Sequence, residues 1–179
     1  MSKRKNQRTL RLLGRQRALE RELRKSGRCP LNAMVEARTS GIHGHGVFAI
    51  APIPRGTEII EYLGEKISKS EATQRQQTHG VYIFILNTRV DVDGATGGNG
   101  AHLINHGCGP NAEAMIDENR IVICALRRIP PGEEITYDYG FDTEEHEDHR
   151  CRCGAPACIG FIVARRHRKR LAARIEAGR

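Results

Sequence analysis

The sequence predicts a mainly β fold with few short helices, and three observations carry this prediction. Between residues 33 and 142, short runs of β-branched and aromatic residues alternate with Gly and Pro, a rhythm typical of many short strands. The strongest internal helix signal covers 68–78, "SKSEATQRQQT", where Ser68 and Glu71 form a capping box. The chain has 179 residues, enough for one domain that buries a core without disulfides. We therefore expect several small sheets in a single domain.

The strands are predicted from eight apolar runs, and the turns from the Gly, Pro, Asn and Asp residues between them. The runs are "AMVEART", "GVFAI", "EIIEYLGEKI", "VYIFIL", "TRVDVD", "AEAMI", "RIVICAL" and "EEITYDY". The stretch "DENR" at 117–120 is predicted to be a hairpin turn, and "IPPGEE" a second sharp turn. "DGATGGNG" at 93–100 is too rich in glycine for a regular element and is predicted to be a loop.

Charge is distributed unevenly along the chain, whose formal net charge is +8. Residues 1–28 carry eleven Lys and Arg against two Glu, and residues 164–179 carry seven against one. The body between them carries eleven basic and eighteen acidic residues. Basic arms fit a polyanion such as nucleic acid, and an acidic body fits a basic peptide. The alternative for the arms is solvated tails that aid solubility or carry a localisation signal.

The N-terminal arm also has a helical pattern. Leu12, Leu19 and Leu23 recur at roughly helical spacing within residues 4–25, and Gly27 and Pro30 mark the end of a helix. We therefore predict a basic helix with a narrow apolar face.

The chain shows no pattern typical of a secretory signal or a membrane span. It is basic from its third residue, which does not fit an apolar signal segment. Its apolar runs, such as "VYIFIL", fall far short of the roughly 18 residues that a spanning helix needs. We expect a soluble protein in a reducing compartment.

Three of the six cysteines fall close together in "CRCGAPACIG" at 151–160. A thiolate zinc site almost always has four ligands, so the fourth must come from Cys29, Cys108 or Cys124 if this is such a site. Cys124 lies in a run typical of a buried strand, where a free cysteine usually acts as a small hydrophobe. Cys29 is neither favoured nor excluded by its neighbours. Cys108 lies among the small, turn-forming residues of "INHGCGPN" and is the better candidate.

Two further motifs are candidates for a ligand site. "SGIHGHGVFAI" places Gly41, Gly44 and Gly46 before a strand, which permits close approach of a ligand to the backbone but by itself favours an ordinary turn. "INHGCGPN" adds Asn105 and His106 beside the candidate metal cysteine, and a capped turn is an equal alternative.

"EEITYDYGFD" contains two tyrosines at alternate positions. Tyr137 and Tyr139 would share one face of a short strand because strand side chains alternate. Aromatic strand residues usually belong to the core. Here, however, two of the four tyrosines share one face, and their hydroxyls need hydrogen-bond partners if they are buried. This favours a functional site over a plain core position.

Four blocks together resemble, in order and spacing, the SET-domain protein lysine methyltransferases that carry a post-SET zinc segment. The blocks are "SGIHGHGVFA" at 40–49, "INHGCGPN" at 104–111, "EEITYDYGF" at 133–141 and "CRCGAPACIGFI" at 151–162. The resemblance implies a β-clip of the SET type, with small curled sheets and a threaded C-terminal segment. It divides the chain into an N-terminal arm (1–32), a SET domain (33–142), a post-SET segment (143–163) and a basic C-terminal tail (164–179). Gly107 stands where the family commonly has serine.

The resemblance also implies two ligands. The metal would be a structural Zn²⁺ that four cysteines bind: Cys108, Cys151, Cys153 and Cys158. The methyl donor would be S-adenosylmethionine, contacted around Gly44, His45 and Gly46 and by Asn105 and His106.

Three tyrosines match the family's lysine channel. Tyr139 matches the catalytic tyrosine, and Tyr82 would help to orient the amine of the target lysine. Tyr137 falls where the family alternates Phe and Tyr, a position linked to the number of methyl groups added. A tyrosine there leaves less room, so we expect mono- or dimethylation.

The function implied is methylation of a histone or another basic nucleoprotein. The basic arms would hold the enzyme on nucleic acid or chromatin, in a eukaryotic nucleus or in a bacterial cytoplasm or nucleoid, with export to a host as a further option. Two alternatives are a catalytically silent SET-like module that binds nucleic acid or a peptide, and a small zinc-stabilised nucleic-acid protein with no methyl donor. The five candidate site residues Tyr82, Asn105, His106, Tyr137 and Tyr139 argue against the silent module.

Overall fold

The computed structural model describes residues 2–79, 82–144 and 146–177; the side chains of 2–13 and 77–79 lie outside the description. Its helices are Ser2–Ser26 (α1), Lys69–His79 (α2) and Arg165–Ala177 (α3). Its strands are Arg28–Pro30 (β1), Val35–Thr39 (β2), His45–Ala49 (β3), Glu58–Glu61 (β4), Glu65–Ser68 (β5), Ile83–Ile85 (β6), Val90–Asp93 (β7), Asn105–His106 (β8), Ala112–Asp117 (β9), Arg120–Ala125 (β10) and Glu134–Tyr137 (β11). Two short 3-10 helices cover Ala101–Leu103 and His146–Asp148.

The strands form three small sheets. One has five strands in the order β1-β2-β3-β11-β8, and the others have three each, in the orders β4-β10-β9 and β5-β7-β6. The strand pairs are antiparallel except β11 with β8, where Thr136 lies beside Asn105 and Tyr137 beside His106. The mainly β prediction is confirmed, and the parallel pair brings two of the sequence motifs side by side.

Most local predictions agree with the structure. Helix α2 begins one residue after the predicted start, and Ser68 Oγ accepts the backbone N–H of Glu71 at 3.3 Å, which is one of the two hydrogen bonds of the predicted capping box. The carboxylate of Glu71 instead accepts a hydrogen bond from Arg75. The hairpin turn between β9 and β10 falls at Glu118, whose φ of 52° is in the left-handed region. The basic N-terminal helix is also present.

Three local features differ from the predictions. The run "EIIEYLGEKI" forms two strands, β4 and β5, because the chain turns at Gly64, where a Cβ would lie 2.2 Å from the carbonyl oxygen of Asp93. Strands β1 and β8 are only three and two residues long, and neither lies in one of the eight apolar runs from which strands were predicted. The basic C-terminal tail is helical over Arg165–Ala177, an element that the sequence analysis did not predict.

The core lies between the sheets and is rich in isoleucine. Its largest fully buried side chains include Ile53, Ile59, Ile104, Ile121, Ile123, Ile129 and Ile135. Burying one such side chain contributes about 1.5–3 kcal/mol relative to leaving it in water. This core fixes the strand ends from which the candidate site is built.

Helix α1 packs against the five-stranded sheet through its apolar face. Leu19 and Leu23 are buried against Ala37 of β2, with Leu103 at the edge of the same cluster. Leu12, the third residue of the predicted face, lies outside the described side chains. The arm is therefore attached to the domain through its second half.

In the described part of the chain, no helix has the length and apolar character that crossing a membrane requires.

Candidate active site and metal centre

Tyr137 and Tyr139 lie together at the end of β11. Their ring centroids are 4.9 Å apart, with an angle of 46° between the planes. The prediction that both belong to one strand is wrong for Tyr139, because β11 ends at Tyr137. The chain turns there: Asp138 Oδ1 accepts the N–H of Gly140 at 3.0 Å, and Gly140 has a φ of 74°.

Tyr139 is fixed at both its backbone and its hydroxyl. Its N–H donates to Nδ1 of His106 at 3.2 Å, and its hydroxyl donates to the carbonyl oxygen of Ile104 at 2.8 Å. Burial, followed by the nearby Tyr82, raises the pKa of the Tyr139 phenol well above its ordinary value. The group is therefore a neutral phenol near pH 7, with its proton engaged and its oxygen lone pairs able to accept a hydrogen bond.

Tyr82 and Tyr62 complete a cluster of all four tyrosines. Tyr82 is 38% exposed, and its ring centroid lies 5.5 Å from that of His102. Tyr62 is 5% exposed, and its hydroxyl donates to the carbonyl oxygen of Tyr82 at 2.7 Å. The sequence analysis missed Tyr62, whose place beside a strand end is typical of a plain core aromatic.

The glycine loop before β3 is held by a buried polar network. Asn105 Nδ2 contacts the carbonyl oxygens of His43 and His45 at 3.2 and 3.1 Å, and Oε1 of Glu134 at 2.8 Å. Ser40 Oγ donates to the same carboxylate at 2.8 Å. This network fixes the loop to β8 and β11, and its members Ser40 and Glu134 were not predicted from sequence.

Two glycines of this loop have different reasons to lack a side chain. A Cβ at Gly46 would lie 2.2 Å from Oε1 of Glu134, so only glycine permits the network. Gly44 has a φ of 48°, and a Cβ there would meet nothing within 4 Å. Gly44 and His45 are exposed, so the loop offers backbone to an incoming ligand.

His106 connects Tyr139 to the cysteine cluster. Because its Nδ1 accepts the N–H of Tyr139, its proton belongs on Nε2, which lies 3.4 Å from Sγ of Cys108. Burial lowers the pKa of His106 to about 4, despite the opposing effect of Asp138, so the ring is neutral near pH 7. A neutral ring with this tautomer donates to the sulfur, an outer hydrogen bond typical of metal sites.

Four sulfur atoms converge as the sequence analysis predicted. Those of Cys108, Cys151, Cys153 and Cys158 all lie within 4.8 Å of one another. The sulfurs of Cys108 and Cys151 are 3.9 Å apart, and a tetrahedron with Zn–S bonds of about 2.3 Å has edges of about 3.8 Å. The set therefore fits a closed Cys₄ zinc site.

Backbone donors favour the thiolate form of Cys153, whereas burial raises the pKa of Cys151 to about 12 and also raises that of Cys108. Sγ of Cys153 accepts the N–H of Cys108 at 3.3 Å, and Sγ of Cys158 accepts that of Gly160 at 3.4 Å. Burial acts to raise the pKa of Cys153, but the backbone donors of Cys108 and Ala155 outweigh it and lower the pKa to about 7. Deprotonated sulfur is the form that binds zinc.

The two other cysteines stand apart from the cluster. Among the described residues, the only group arranged to hold a metal is the four-cysteine set, which includes neither Cys29 nor Cys124. Cys124 lies in β10 as expected, but it is half-buried rather than fully enclosed. The choice of Cys108 as fourth member agrees with the geometry.

Gly107 lies between Asn105 and Cys108 and packs against β11. A Cβ at Gly107 would lie 2.5 Å from Oγ1 of Thr136. A serine there would force Thr136 to move, so glycine suits this backbone between Asn105 and Cys108.

Comparison with known proteins gives the family of this fold and site. The SET domain family matches residues 44–140. The H3 lysine-4 specific histone-lysine N-methyltransferase of Candida albicans is 39% identical over 135 residues, which cover 69% of this chain and 13% of the relative. The histone H3-lysine(4) N-trimethyltransferase ATX1 of Arabidopsis thaliana is 40% identical over 134 residues, covering 69% and 12%. Human histone-lysine N-methyltransferase 2D is 39% identical over 130 residues, covering 66% and 2%.

The chain thus spans a small part of each curated relative that it matches, and the matched part contains the tyrosine cluster, the glycine loop from Gly44 and the Asn105–Cys108 segment. Because the family match covers more than half of the chain, the chain belongs to the SET-domain family.

Proposed function

We propose that this chain transfers a methyl group from S-adenosylmethionine to a lysine side chain of a histone or another basic nucleoprotein. One observation carries the proposal: the tyrosine cluster lies against β8, whose Asn105 and His106 hold the glycine loop and Tyr139. The curated relatives are named as histone-lysine methyltransferases, which supports this reaction class.

The methyl donor would supply an electrophilic methyl group on a positively charged sulfur. We assign its binding to the backbone at Gly44, His45 and Gly46 and to Asn105 and His106. The exposed backbone at Gly44, with open space where a side chain would be, fits such a ligand. The Asn105 network would keep that loop in place.

The attacking lysine must lose its proton before it can react. A free lysine amine has a pKa of about 10.4, and burial in an apolar channel disfavours the ammonium form. Tyr139 has a raised pKa and is therefore unsuited to act as a base near pH 7. Its role is to accept a hydrogen bond from the amine and orient it, while Tyr82 lines the exposed side of the cluster.

A histone substrate is supported by charge as well as by the relatives. The body of the chain carries eleven basic and eighteen acidic residues, which suits a basic tail. Relatives in fungi are named for lysine 4 of histone H3. We infer the same class of substrate here and, in a eukaryote, a nuclear or chromatin location.

The test is transfer of labelled methyl from S-adenosylmethionine to mixed core histones and to a lysate of basic proteins. We expect label on histone H3, located by mass spectrometry of the modified peptide. Cofactor binding without transfer to any protein would instead support the silent SET-like module.

The zinc site would be structural. We assign the metal to Cys108, Cys151, Cys153 and Cys158, a set that leaves no position open for a substrate. The metal would join the loop after β8 to the post-SET segment. The chemistry would stay with the tyrosine cluster.

The product state is expected to depend on Tyr137. This side chain is 7% exposed, and none of the described residues hydrogen-bonds its hydroxyl, which is not among the enclosed polar atoms without a partner. The hydroxyl is therefore expected to face the channel, where it would limit the room around the amine. We predict mono- and dimethylated product from the wild type, and dimethylated and trimethylated product after Tyr137→Phe.

Mass spectrometry of a histone H3 peptide during long incubations checks this prediction. The Arabidopsis relative is named as a trimethyltransferase. Our prediction for the wild-type product of this chain therefore differs from the product that the name of the relative states. Unchanged product ratios in the Tyr137→Phe variant, or trimethylation by the wild type, would contradict it. The matched control is Tyr62→Phe, which also removes one hydroxyl from the tyrosine cluster.

We further propose that α1 and α3 contact nucleic acid. Both helices present exposed cations: Arg15, Arg17, Arg21, Arg24 and Lys25 on α1, and Arg165, Arg166, Lys169, Arg170 and Arg174 on α3. Lys and Arg side chains on a helix can neutralise backbone phosphates and release counterions. Histone substrates lie beside DNA, so such contacts would hold the enzyme close to its target.

Fluorescence anisotropy with a DNA duplex at several salt concentrations tests this surface. Each lost phosphate contact is expected to reduce the slope of log affinity against log salt by about 0.9. We predict that replacing Arg166, Lys169, Arg170 and Arg174 with Ala reduces the magnitude of this slope by about 2 to 4. Arg55→Ala with Arg89→Ala, which removes exposed cations of the body, should change little. Equal affinity in all three proteins would contradict the proposal.

A further inference from the structure

Arg168 is the one fully enclosed cation of α3 within its described residues. It is 6% exposed, while its neighbours Lys169 and Arg170 are exposed. Its guanidinium has three partners: Nε donates to the carbonyl oxygen of Val163 at 2.9 Å, Nη1 to that of Cys108 at 2.6 Å, and Nη2 to Oδ2 of Asp138 at 2.8 Å. A buried charge is costly unless it is paired and hydrogen-bonded, and here each nitrogen of the group is engaged.

Its carboxylate partner Asp138 lies between Tyr137 and Tyr139 in the sequence. Oδ2 of Asp138 also accepts the N–H of Arg165 at 2.9 Å, which caps the start of α3. Oδ1 accepts the N–H of Gly140. One carboxylate therefore shapes the turn that contains Tyr139 and attaches the C-terminal helix to it.

The hydrogen bond from Arg168 to the carbonyl oxygen of Cys108 is a second link between Arg168 and Tyr139. Cys108 follows His106 by two residues, and the ring of His106 accepts the N–H of Tyr139 and lies 3.4 Å from the sulfur of Cys108. The guanidinium of Arg168 thus joins α3, the Cys108 loop and the Tyr139 turn.

We infer that Arg168 is a positioning residue that holds Tyr139 in place for methyl transfer, and that α3 thereby supports the active site. The inference rests on the proposed function and deepens it. Loss of the guanidinium leaves the carboxylate of Asp138 without its cation and the carbonyl of Cys108 without its donor, so the Tyr139 turn loses two supports. Lysine cannot replace it fully, because an ammonium lacks the planar fork that reaches three acceptors.

The effect is expected on turnover rather than on cofactor affinity. The glycine loop is held separately, by Asn105 and Glu134, and Arg168 contacts neither. A misplacement of about 1 Å at a reacting group can cost about 100-fold in rate. We therefore expect Arg168→Met to lower kcat about 10- to 100-fold and to change KM for S-adenosylmethionine less than about 3-fold.

The experiment compares wild type, Arg168→Met, Arg168→Lys and the control Arg89→Met, which removes an exposed cation outside α1, α3 and the tyrosine cluster. The readouts are kcat and KM with histone H3 and near-ultraviolet circular dichroism. The chain has no tryptophan and four tyrosines, all in the cluster, so the tyrosine signal reports the cluster without any turnover. We expect Arg168→Met to weaken that signal, Arg168→Lys to restore part of both signal and kcat, and Arg89→Met to match wild type.

A wild-type kcat and dichroism signal in Arg168→Met would overturn the inference, as would a loss confined to KM for the cofactor. If Arg168→Met fails to fold, Arg168→Lys decides: unchanged kcat and signal there would overturn it as well. A wild-type protein that transfers no methyl group would refute the proposed function instead. The dichroism of the variants would then still decide whether Arg168 positions the tyrosines.

Discussion

Replacing Tyr139 with Phe is expected to lower kcat for methyl transfer about 100- to 1,000-fold while the protein still binds S-adenosylmethionine, the range seen when one preorganised hydrogen-bonding group is removed from an active site. The hydroxyl of Tyr139 donates a hydrogen bond to the carbonyl oxygen of Ile104, which leaves the lone pairs of the hydroxyl oxygen free to accept a hydrogen bond from the substrate amine. Phenylalanine keeps the ring and its packing but removes that acceptor. The measurement is single-turnover transfer of labelled methyl to histone H3, with cofactor binding measured by calorimetry.

Tyr62→Phe is the matched control for this variant. It also removes one buried hydroxyl from the cluster, but that hydroxyl donates to the backbone of Tyr82 rather than to Ile104. We expect less than about a tenfold loss of kcat, because the acceptor on Tyr139 is intact. Equal losses in the two variants would mean that the cluster acts only through its packing.

The pH dependence separates orientation from base catalysis in the same pair of proteins. The rate of methyl transfer should rise with pH between about 7 and 9, because a free lysine amine has a pKa of about 10.4 and is mostly protonated over this range, whereas only the neutral amine reacts. Burial raises the pKa of Tyr139 above its ordinary value, so its phenol stays protonated throughout this range. Wild type and Tyr139→Phe should therefore give parallel profiles. A flat profile in the variant would mean that Tyr139 acts as the base.

Local patterns predicted the parts of this molecule that depend on neighbours in sequence. The Ser68 N-cap of α2, the hairpin turn before Arg120 and most strands are set by residues a few positions apart. Cys108 was favoured as a metal ligand because small residues surround it, and its sulfur does lie with the other three. The family resemblance then supplied candidates for the site.

Contacts between distant residues explain what the sequence analysis missed. Helix α3 has no local cap: its first N–H bonds to Asp138, 27 positions earlier, and the acceptors of Arg168 include Cys108, 60 positions earlier. Ser40 and Glu134 are 94 positions apart. The segment 164–179 contains only two large apolar residues, Leu171 and Ile175, among seven Lys and Arg, so its sequence favoured a solvated tail.

Removing zinc, by a chelator or by Cys153→Ser, is expected to lower the melting temperature of the protein by about 8–16 °C. Loss of a structural metal belongs to the largest single-site effects, about 4 kcal/mol, and 1 kcal/mol corresponds to about 2–4 °C for a chain of this size. Thermal unfolding, together with zinc content by atomic absorption, measures the effect. Cys124→Ser removes a half-buried sulfur outside the cluster and should retain both zinc and most of the stability.

The same treatment should abolish methyl transfer, because the post-SET segment also supports the tyrosine cluster. Phe141, whose ring centroid is 5.6 Å from that of Tyr139, accepts the N–H of Ala164 at its carbonyl oxygen at 2.9 Å. The four cysteines proposed to bind zinc include three on the segment that leads to Ala164, so loss of the metal would free this contact and the start of α3. Activity that survives complete removal of zinc would show that the segment holds its place without metal. Protein purified without zinc, and unaffected by a chelator, would show that the four sulfurs have another use.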